Sequence, residues 1–239
     1  MSNELAPFVP WSNFMSGFKF KQGEHVLMIA PTGMGKTVLA KRVLNYRESR
    51  HAYICVMATK PVDEELSELE RRRYMRVKDN KIWTAASYPR LLLWPDAGSF
   101  DNLSEQRKRF RSALQGMWKA GKWTVHLNEL RYLTDNLGLK REINTLYLQA
   151  RSSKMSLIGE TQRPRSVPLE AFSQSSHVFF GPCRDDEDLK RISGIGNANP
   201  KIVRIVVQGL ERYQFAYVNA VTGNVVVTKT QPFTLAKAS

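Results

Sequence analysis

Short apolar runs alternate along the chain with stretches in which apolar residues recur at the spacing of a helix. Runs rich in β-branched and aromatic residues, typical of buried strands, occur at 25–29, 51–58, 123–127, 155–159 and 177–180. Apolar residues at helical spacing follow the first run. They occur again over 139–153, where Ile143, Leu146 and Tyr147 share one face. Alternating strands and helices predict a mainly parallel sheet that is covered by helices on both faces.

The end of the chain follows a different pattern. Three apolar runs, at 202–207, 213–218 and 225–229, are separated by short polar segments and predict antiparallel strands. The last two are joined through Thr222-Gly223-Asn224, which favours a hairpin. Two shorter strands are predicted earlier, at 82–84 and 91–94. A small antiparallel β extension therefore follows the parallel sheet.

A chain of 239 residues with 42% hydrophobic content buries one main core. We expect an N-terminal arm over 1–22, a core over 23–200, and a C-terminal β extension of the same domain over 201–239. The arm is rich in aromatic residues and is expected to pack against the first core strand, although Trp11 or Phe14 could instead stack on an adenine ring.

The charge balance favours a polyanionic partner. The chain has 36 basic and 22 acidic residues, a formal net charge of +14, and nucleic acid is the leading candidate over a merely solubilising surface. Cys55 and Cys183 lack the spacing of a disulfide framework or a zinc site, which indicates a reducing compartment. No segment resembles a signal peptide or a membrane span, so we expect a soluble protein of the cytoplasm.

A glycine-rich loop lies between the first strand and the first core helix, and it reads Ala30-Pro31-Thr32-Gly33-Met34-Gly35-Lys36-Thr37. This is a phosphate-binding loop, except that Ala30 stands where Gly usually does. The glycines let backbone N–H groups point inward, Lys36 reaches the β and γ phosphates, and the Thr37 hydroxyl binds Mg²⁺. ATP and Mg²⁺ are therefore the expected cofactors.

Two polar residues, Asn128 and Glu129, follow the strand 123–127. A carboxylate at the end of a strand near the loop can activate the attacking water, and we predict Glu129 as the general base, with a helix-capping role as the alternative. Asn128 occupies the position where an Asp usually holds a metal-bound water. An amide can accept that hydrogen bond but brings no charge. His126 is predicted to be a packed strand residue.

The segment Thr161-Gln162-Arg163-Pro164 follows the strand 155–159 directly. Gln162, at the tip of a strand beside the loop, is predicted to sense the γ-phosphate. With Ala150-Arg151 before the strand, this region resembles the FtsK/HerA superfamily of ring-forming DNA-translocating ATPases, which includes viral genome-packaging ATPases. The resemblance covers about 23–192 and implies a P-loop NTPase (RecA-like/ASCE) core.

The resemblance further implies a ring in which each site receives an arginine finger from the neighbouring subunit. Arg151 is the first candidate for that finger and Arg163 is the second. A hexameric or pentameric ring, double-stranded DNA, and a viral portal or capsid vertex are the expected partners, with the protein in the host cytoplasm or at a virion vertex.

Two basic segments are candidates for contacts with the DNA backbone. They comprise Arg71, Arg72, Arg73, Arg76 and Lys78, and then Arg107, Lys108, Arg109 and Arg111. The leading hypothesis is ATP-driven packaging of viral DNA into a procapsid. A cellular or conjugative DNA pump, a small-molecule kinase, and a nucleotide-regulated DNA-binding module remain as alternatives.

Overall fold

The computed structural model describes residues 5–78, 88–95, 102–192 and 195–230. In these ranges the α-helices are α1 (Trp11–Gly17), α2 (Lys36–Glu48), α3 (Glu64–Arg71), α4 (Leu103–Ala120), α5 (Lys140–Gln149), α6 (Leu169–Gln174), α7 (Asp186–Ile192) and α8 (Pro200–Gln208), with a short π-helix over Tyr132–Asn136 and a 3-10 turn over Pro164–Ser166. The strands are β1 (Val26–Ile29), β2 (Tyr53–Met57), β3 (Met75–Val77), β4 (Arg90–Leu93), β5 (Trp123–Leu127), β6 (Ser156–Thr161), β7 (His177–Phe180), β8 (Gln214–Asn219) and β9 (Val225–Lys229). The strand predicted at 82–84 lies outside the described residues.

The described strands form one sheet in the order β3-β4-β2-β5-β6-β1-β7-β8-β9. Neighbouring strands are parallel in the part of the sheet that runs from β3 to β7. The β7–β8 and β8–β9 pairs are antiparallel. Because β1 lies between β6 and β7, its carboxyl end, where the glycine-rich loop begins, has strand ends on both sides. The predicted parallel sheet with an antiparallel C-terminal pair is confirmed.

Helices bury both faces of the sheet, which explains why the central strands read as continuous apolar runs. On one face, Val26 and Met28 pack with residues of α2, α3 and the aromatic arm. On the other face, Leu27 and Ile29 pack with residues of α4 to α8. The alternation along β1 follows from the two-residue period of a strand.

The prediction of a strand at 202–207 is wrong, because this segment lies within helix α8. Its β-branched residues suggested a strand, but the buried positions Val203, Val206 and Val207 follow a helical period, and Ile205 is 48% exposed. The Asn199 side chain accepts a hydrogen bond from the backbone N–H of Lys201 at 3.0 Å and caps the helix. Pro200 at the first helical position supports the same start.

The N-terminal arm contains helix α1 and packs on the sheet, where its aromatic rings contact β7 and β8. Phe14 and Phe18 are buried, and both rings approach Phe179 and Tyr217 edge-on at 4.9–6.0 Å between centroids. Trp11 lies on Phe14 and under the guanidinium of Arg42. These contacts favour a packing role for the arm aromatics over contact with an adenine ring.

Candidate active site at the carboxyl edge of the sheet

The glycine-rich loop leaves the end of β1 and enters α2 at its N-terminus. Gly33 and Gly35 have left-handed φ values of 78° and 90°, and Gly35 caps the helix that starts at Lys36. The first N–H groups of α2 have no partners within their own helix, so the loop and the helix end offer donors to an anion. Ala30 is buried and continues the strand, since its N–H donates to the Thr161 carbonyl at 3.2 Å. Alanine therefore fits this position.

Glu129 and Gln162 lie beside the loop and are joined to it by hydrogen bonds. The Gln162 amide nitrogen donates to Glu129 Oε1 at 3.2 Å, and the Thr32 hydroxyl donates to Gln162 Oε1 at 3.1 Å. Glu129 has a φ of 62°, a left-handed conformation that costs a residue with a side chain about 1–2 kcal/mol. The structure thus brings together the predicted base, the predicted sensor and the loop.

Asn128 is buried next to this group, and among the described residues its Nδ2 has no hydrogen-bond partner. His126 is fully buried, as predicted, but it also contacts an acid: its Nε2 donates to Glu160 Oε1 at 2.5 Å. Burial alone would raise the pKa of Glu160, yet His126 and the charges of Lys36 and Lys60 hold that pKa below its ordinary value. Sequence reasoning missed Glu160, although an acidic residue within an apolar strand was a visible signal.

The first finger candidate, Arg151, lies at the opposite edge of the sheet from the loop of its own chain. It is exposed in the turn between α5 and β6, where its carbonyl accepts from the Lys154 N–H at 3.0 Å. The Gln22 side chain ties this turn to the start of β1 by donating to the Lys154 carbonyl at 2.6 Å. Arg151 therefore lies away from the glycine-rich loop of its own chain, and its role as a finger in trans stays a prediction.

The second candidate, Arg163, is held by acids of its own chain. Its Nη2 donates to Asp185 at 2.9 Å, and its Nε donates to Asp188 at 2.9 Å. Asp188 is buried and also accepts from the Arg165 N–H. This double ion pair connects the end of β6 to helix α7, so the structure supports a positioning role for Arg163 in its own subunit.

A cavity of 760 Å³ opens on the β7 side of the loop. The loop residues Pro31, Thr32 and Met34 form one wall, and the segment 208–212 after α8 forms another. This pocket is large enough for the base and sugar of a nucleotide.

The segment between α8 and β8 reaches back onto the loop. Arg212 Nε donates to the Gly33 carbonyl at 3.2 Å, and its guanidinium lies 4.8 Å from the Tyr213 ring centroid. A Cβ at Gly35 would lie 2.6 Å from Tyr213 Cδ1, so glycine is also required there for space. No local pattern could have indicated Arg212 or Tyr213, because they meet the loop only through the fold.

The two predicted basic segments meet at one edge of the sheet. Arg109 Nη1 donates to the Lys78 carbonyl at 3.0 Å and so joins α4 to the end of β3. Several of the arginines are also in ion pairs, namely Arg72 with Glu48, Arg76 with Glu70, Arg109 with Glu105 and Arg111 with Glu142. Within the described ranges, Arg71, Arg73, Arg107 and Lys108 are exposed and make no ion pair.

None of the helices in the described ranges has both the length and the apolar character needed to cross a bilayer. The chain matches no protein-family model and no curated protein sequence at a significant level.

Solved structures resemble the fold closely. The genome packaging NTPase B204 from Sulfolobus turreted icosahedral virus 2, in complex with AMP, is 14% identical, with 89% of this chain and 100% of that chain covered at a TM-score of 0.64. VirB4 of Thermoanaerobacter pseudethanolicus is 10% identical over 87% of this chain and 89% of its own, with a TM-score of 0.61. The bacterial conjugative coupling protein TrwBΔN70 is 8% identical over 88% and 85%, with a TM-score of 0.60. The predicted P-loop NTPase fold is thereby confirmed for nearly the whole chain.

Proposed function

We propose that the protein is an ATPase that uses hydrolysis to translocate double-stranded DNA, in the manner of a viral genome-packaging motor. The observation that carries this proposal is the hydrogen-bonded series Thr32–Gln162–Glu129, which connects the phosphate-binding loop to a base and a sensor on two neighbouring strands. A loop alone could bind phosphate passively. The connection of the loop to the carboxylate of Glu129, whose backbone is held in a left-handed conformation, supports hydrolysis.

The residues around the loop divide the work of binding a triphosphate. Lys36 and the first N–H groups of α2 hold the β and γ phosphates, and the 760 Å³ cavity receives the nucleoside. The side chains fit Mg²⁺, since the Thr37 hydroxyl and the carbonyl oxygen of the Asn128 amide are the kind of oxygen ligands that suit a hard cation or its bound water. When bound, Mg²⁺ neutralises charge on the phosphate oxygens.

Glu129 accepts the proton of the attacking water, and Gln162 positions that water against the γ-phosphate. Because Gln162 already contacts both Thr32 and Glu129, its amide can exchange one of these partners for a phosphate oxygen when the nucleotide binds. The exchange would make the position of Glu129 depend on the presence of the γ-phosphate.

DNA contact is assigned to the basic edge formed by β3 and α4. The exposed cations Arg71, Arg73, Arg107 and Lys108 suit contacts with the phosphate backbone, which carry no sequence information and so permit movement along any sequence. We further propose a pentameric or hexameric ring at a capsid vertex or in the host cytoplasm, with Arg151 reaching the neighbouring site. The fold likeness to a genome packaging NTPase supports this setting.

ATP turnover measured with and without double-stranded DNA tests the proposal. We expect DNA to stimulate turnover several-fold, and Glu129→Gln to bind ATP while losing turnover in both conditions. A small-molecule kinase would need a small acceptor and ignore DNA. A nucleotide-regulated DNA-binding module, which the uncharged Asn128 favours, would bind DNA but show little turnover with or without it. Either result would contradict the proposal.

A further inference from the structure

Glu160 is a buried carboxylate that the proposed mechanism leaves without a role. It lies on β6 and is 1% exposed. Glutamate is almost never fully buried unless it is paired, and removing a carboxylate from water is costly. A strand that needed only to pack would place an apolar residue here.

The sheet register puts Glu160 beside Asn128. The last pair of the β5–β6 ladder is Leu127 with Gly159, and this register, continued by one residue beyond the end of β5, brings Asn128 beside Glu160. His126 and Asn128 are two residues apart and share one face, and the contact of Glu160 with His126 places Glu160 on that face too. On its other side Glu160 pairs with Met28, two residues before the loop begins.

The surrounding charges connect Glu160 to the loop. Burial raises the pKa of Glu160, but the contact with His126 and the positive charges of Lys36 and Lys60 hold that pKa below its ordinary value, so the phosphate-binding lysine lies within electrostatic range of the acid. Asn128 brings no charge of its own, and its Nδ2 is unsatisfied among the described residues. A buried amide and a buried acid therefore stand next to each other at the position where phosphate-binding sites concentrate negative charge against a metal ion.

A purely structural role for the His126–Glu160 pair is the main alternative. The pair does not form a closed network, because His126 Nδ1 has no partner among the described residues. A structural pair would affect folding and both forms of nucleotide binding alike. A charge directed at the metal would affect only binding with Mg²⁺.

We propose that Glu160 supplies the negative charge that Asn128 lacks, and so sets the preference of this site for a nucleotide bound with Mg²⁺ over the metal-free nucleotide. The inference rests on the proposed nucleotide-binding function. In this arrangement the negative charge lies on β6, one strand away from Asn128 and on the same face of the sheet. Asn128 supplies only a hydrogen-bonding oxygen.

The test is binding of a fluorescent non-hydrolysable ATP analogue over a Mg²⁺ titration, in the parent protein and in Glu160→Gln. Glutamine keeps the shape and a hydrogen bond to His126 but removes the charge. The expected result is a half-saturating Mg²⁺ concentration about tenfold higher, whereas metal-free binding stays equal or tightens because Lys36 loses a competing anion. Equal weakening with and without Mg²⁺, or an unchanged Mg²⁺ requirement, would overturn the proposal.

A charge-return variant and a matched control sharpen the result. Adding Asn128→Asp to Glu160→Gln should bring the Mg²⁺ requirement back to within about threefold of the parent, because the charge returns to the same face. Failure of this rescue would also overturn the proposal. Glu48→Gln is the control, since Glu48 is a buried, ion-paired acid at the far end of α2, and it should leave the Mg²⁺ requirement unchanged.

A second variant covers the case in which Glu160→Gln does not fold. Asn128→Asp alone would place two carboxylates side by side, so its melting temperature in EDTA should fall below that of the parent and recover with Mg²⁺ and nucleotide. An unchanged melting temperature in EDTA would contradict the placement of Glu160. If the parent binds no nucleotide, the proposed function fails as well, whereas binding with an unaltered Mg²⁺ requirement in Glu160→Gln rejects only this inference.

Discussion

The two sides of the phosphate-binding loop are built differently. On the β5–β6 side, single hydrogen bonds of 3.1–3.2 Å join Thr32, Gln162 and Glu129 at a partly exposed surface. On the β7–β8 side, ion pairs of 2.9 Å and the Arg212 contact form a cavity. The first arrangement can exchange partners at little cost, and the second holds a fixed shape. We infer that one side carries the chemical step and the other carries nucleoside recognition.

Lys36→Ala has the largest expected effect because Lys36 serves both sides. Loss of the positioned cation should lower ATP turnover by at least about 100-fold and weaken binding of the non-hydrolysable analogue as well. Turnover assays and analogue titrations measure the two losses separately. Lys119→Ala, at the exposed end of α4, is the control and should change neither. Normal turnover in Lys36→Ala would remove the basis of the comparison.

Gln162→Ala should affect the chemical side alone. We expect kcat to fall by about 10- to 100-fold, because Glu129 and the water lose their positioning partner, while analogue affinity stays within about twofold. Steady-state kinetics together with analogue binding separate the two quantities. Gln149→Ala, an exposed glutamine at the opposite edge of the sheet, is the matched control. A loss of nucleotide affinity as large as the loss of kcat would contradict the separation of the chemical step from nucleotide binding.

Arg212→Ala should give the opposite result. Without its hydrogen bond to Gly33, the wall of the cavity is no longer tied to the loop, so we expect nucleotide affinity to fall about tenfold with kcat within about twofold. Arg204→Ala removes an arginine from an exposed ion pair on nearby α8 and should leave both values unchanged. A fall in kcat at saturating ATP would assign Arg212 to the chemical step.

The smallest effect is expected from the basic edge, which lies away from both sides. Replacing Arg107 and Lys108 with Ala should reduce the salt dependence of DNA binding, with the logarithmic slope falling by about one for each DNA phosphate that is no longer neutralised. Binding isotherms at several salt concentrations give the slope. Turnover without DNA should stay at the parent level. Lys201→Ala, an exposed cation on α8, should leave the slope unchanged.

The chemical side was accessible to sequence analysis because its residues follow strands of recognisable pattern. The loop, Glu129 and Gln162 each come directly after an apolar run, and parallel strands bring such ends to one edge. The cavity side was not accessible, since Arg212 meets Gly33 only through the fold. The error at 202–207 has a related cause. The β-branched residues there favour a strand locally, but the buried stripe and the Asn199 cap determine a helix.

The contact between Arg212 and Gly33 has a consequence for the order in which the protein is made. It joins residues 179 positions apart, so the loop can fold early while its cavity waits for the segment that follows α8. Nascent chains that stop before this segment would have the N–H groups that bind phosphate but would lack one wall of the cavity that receives the nucleoside. Tight nucleotide binding would then arise only once β8 has docked, and it would report that this strand has joined the sheet.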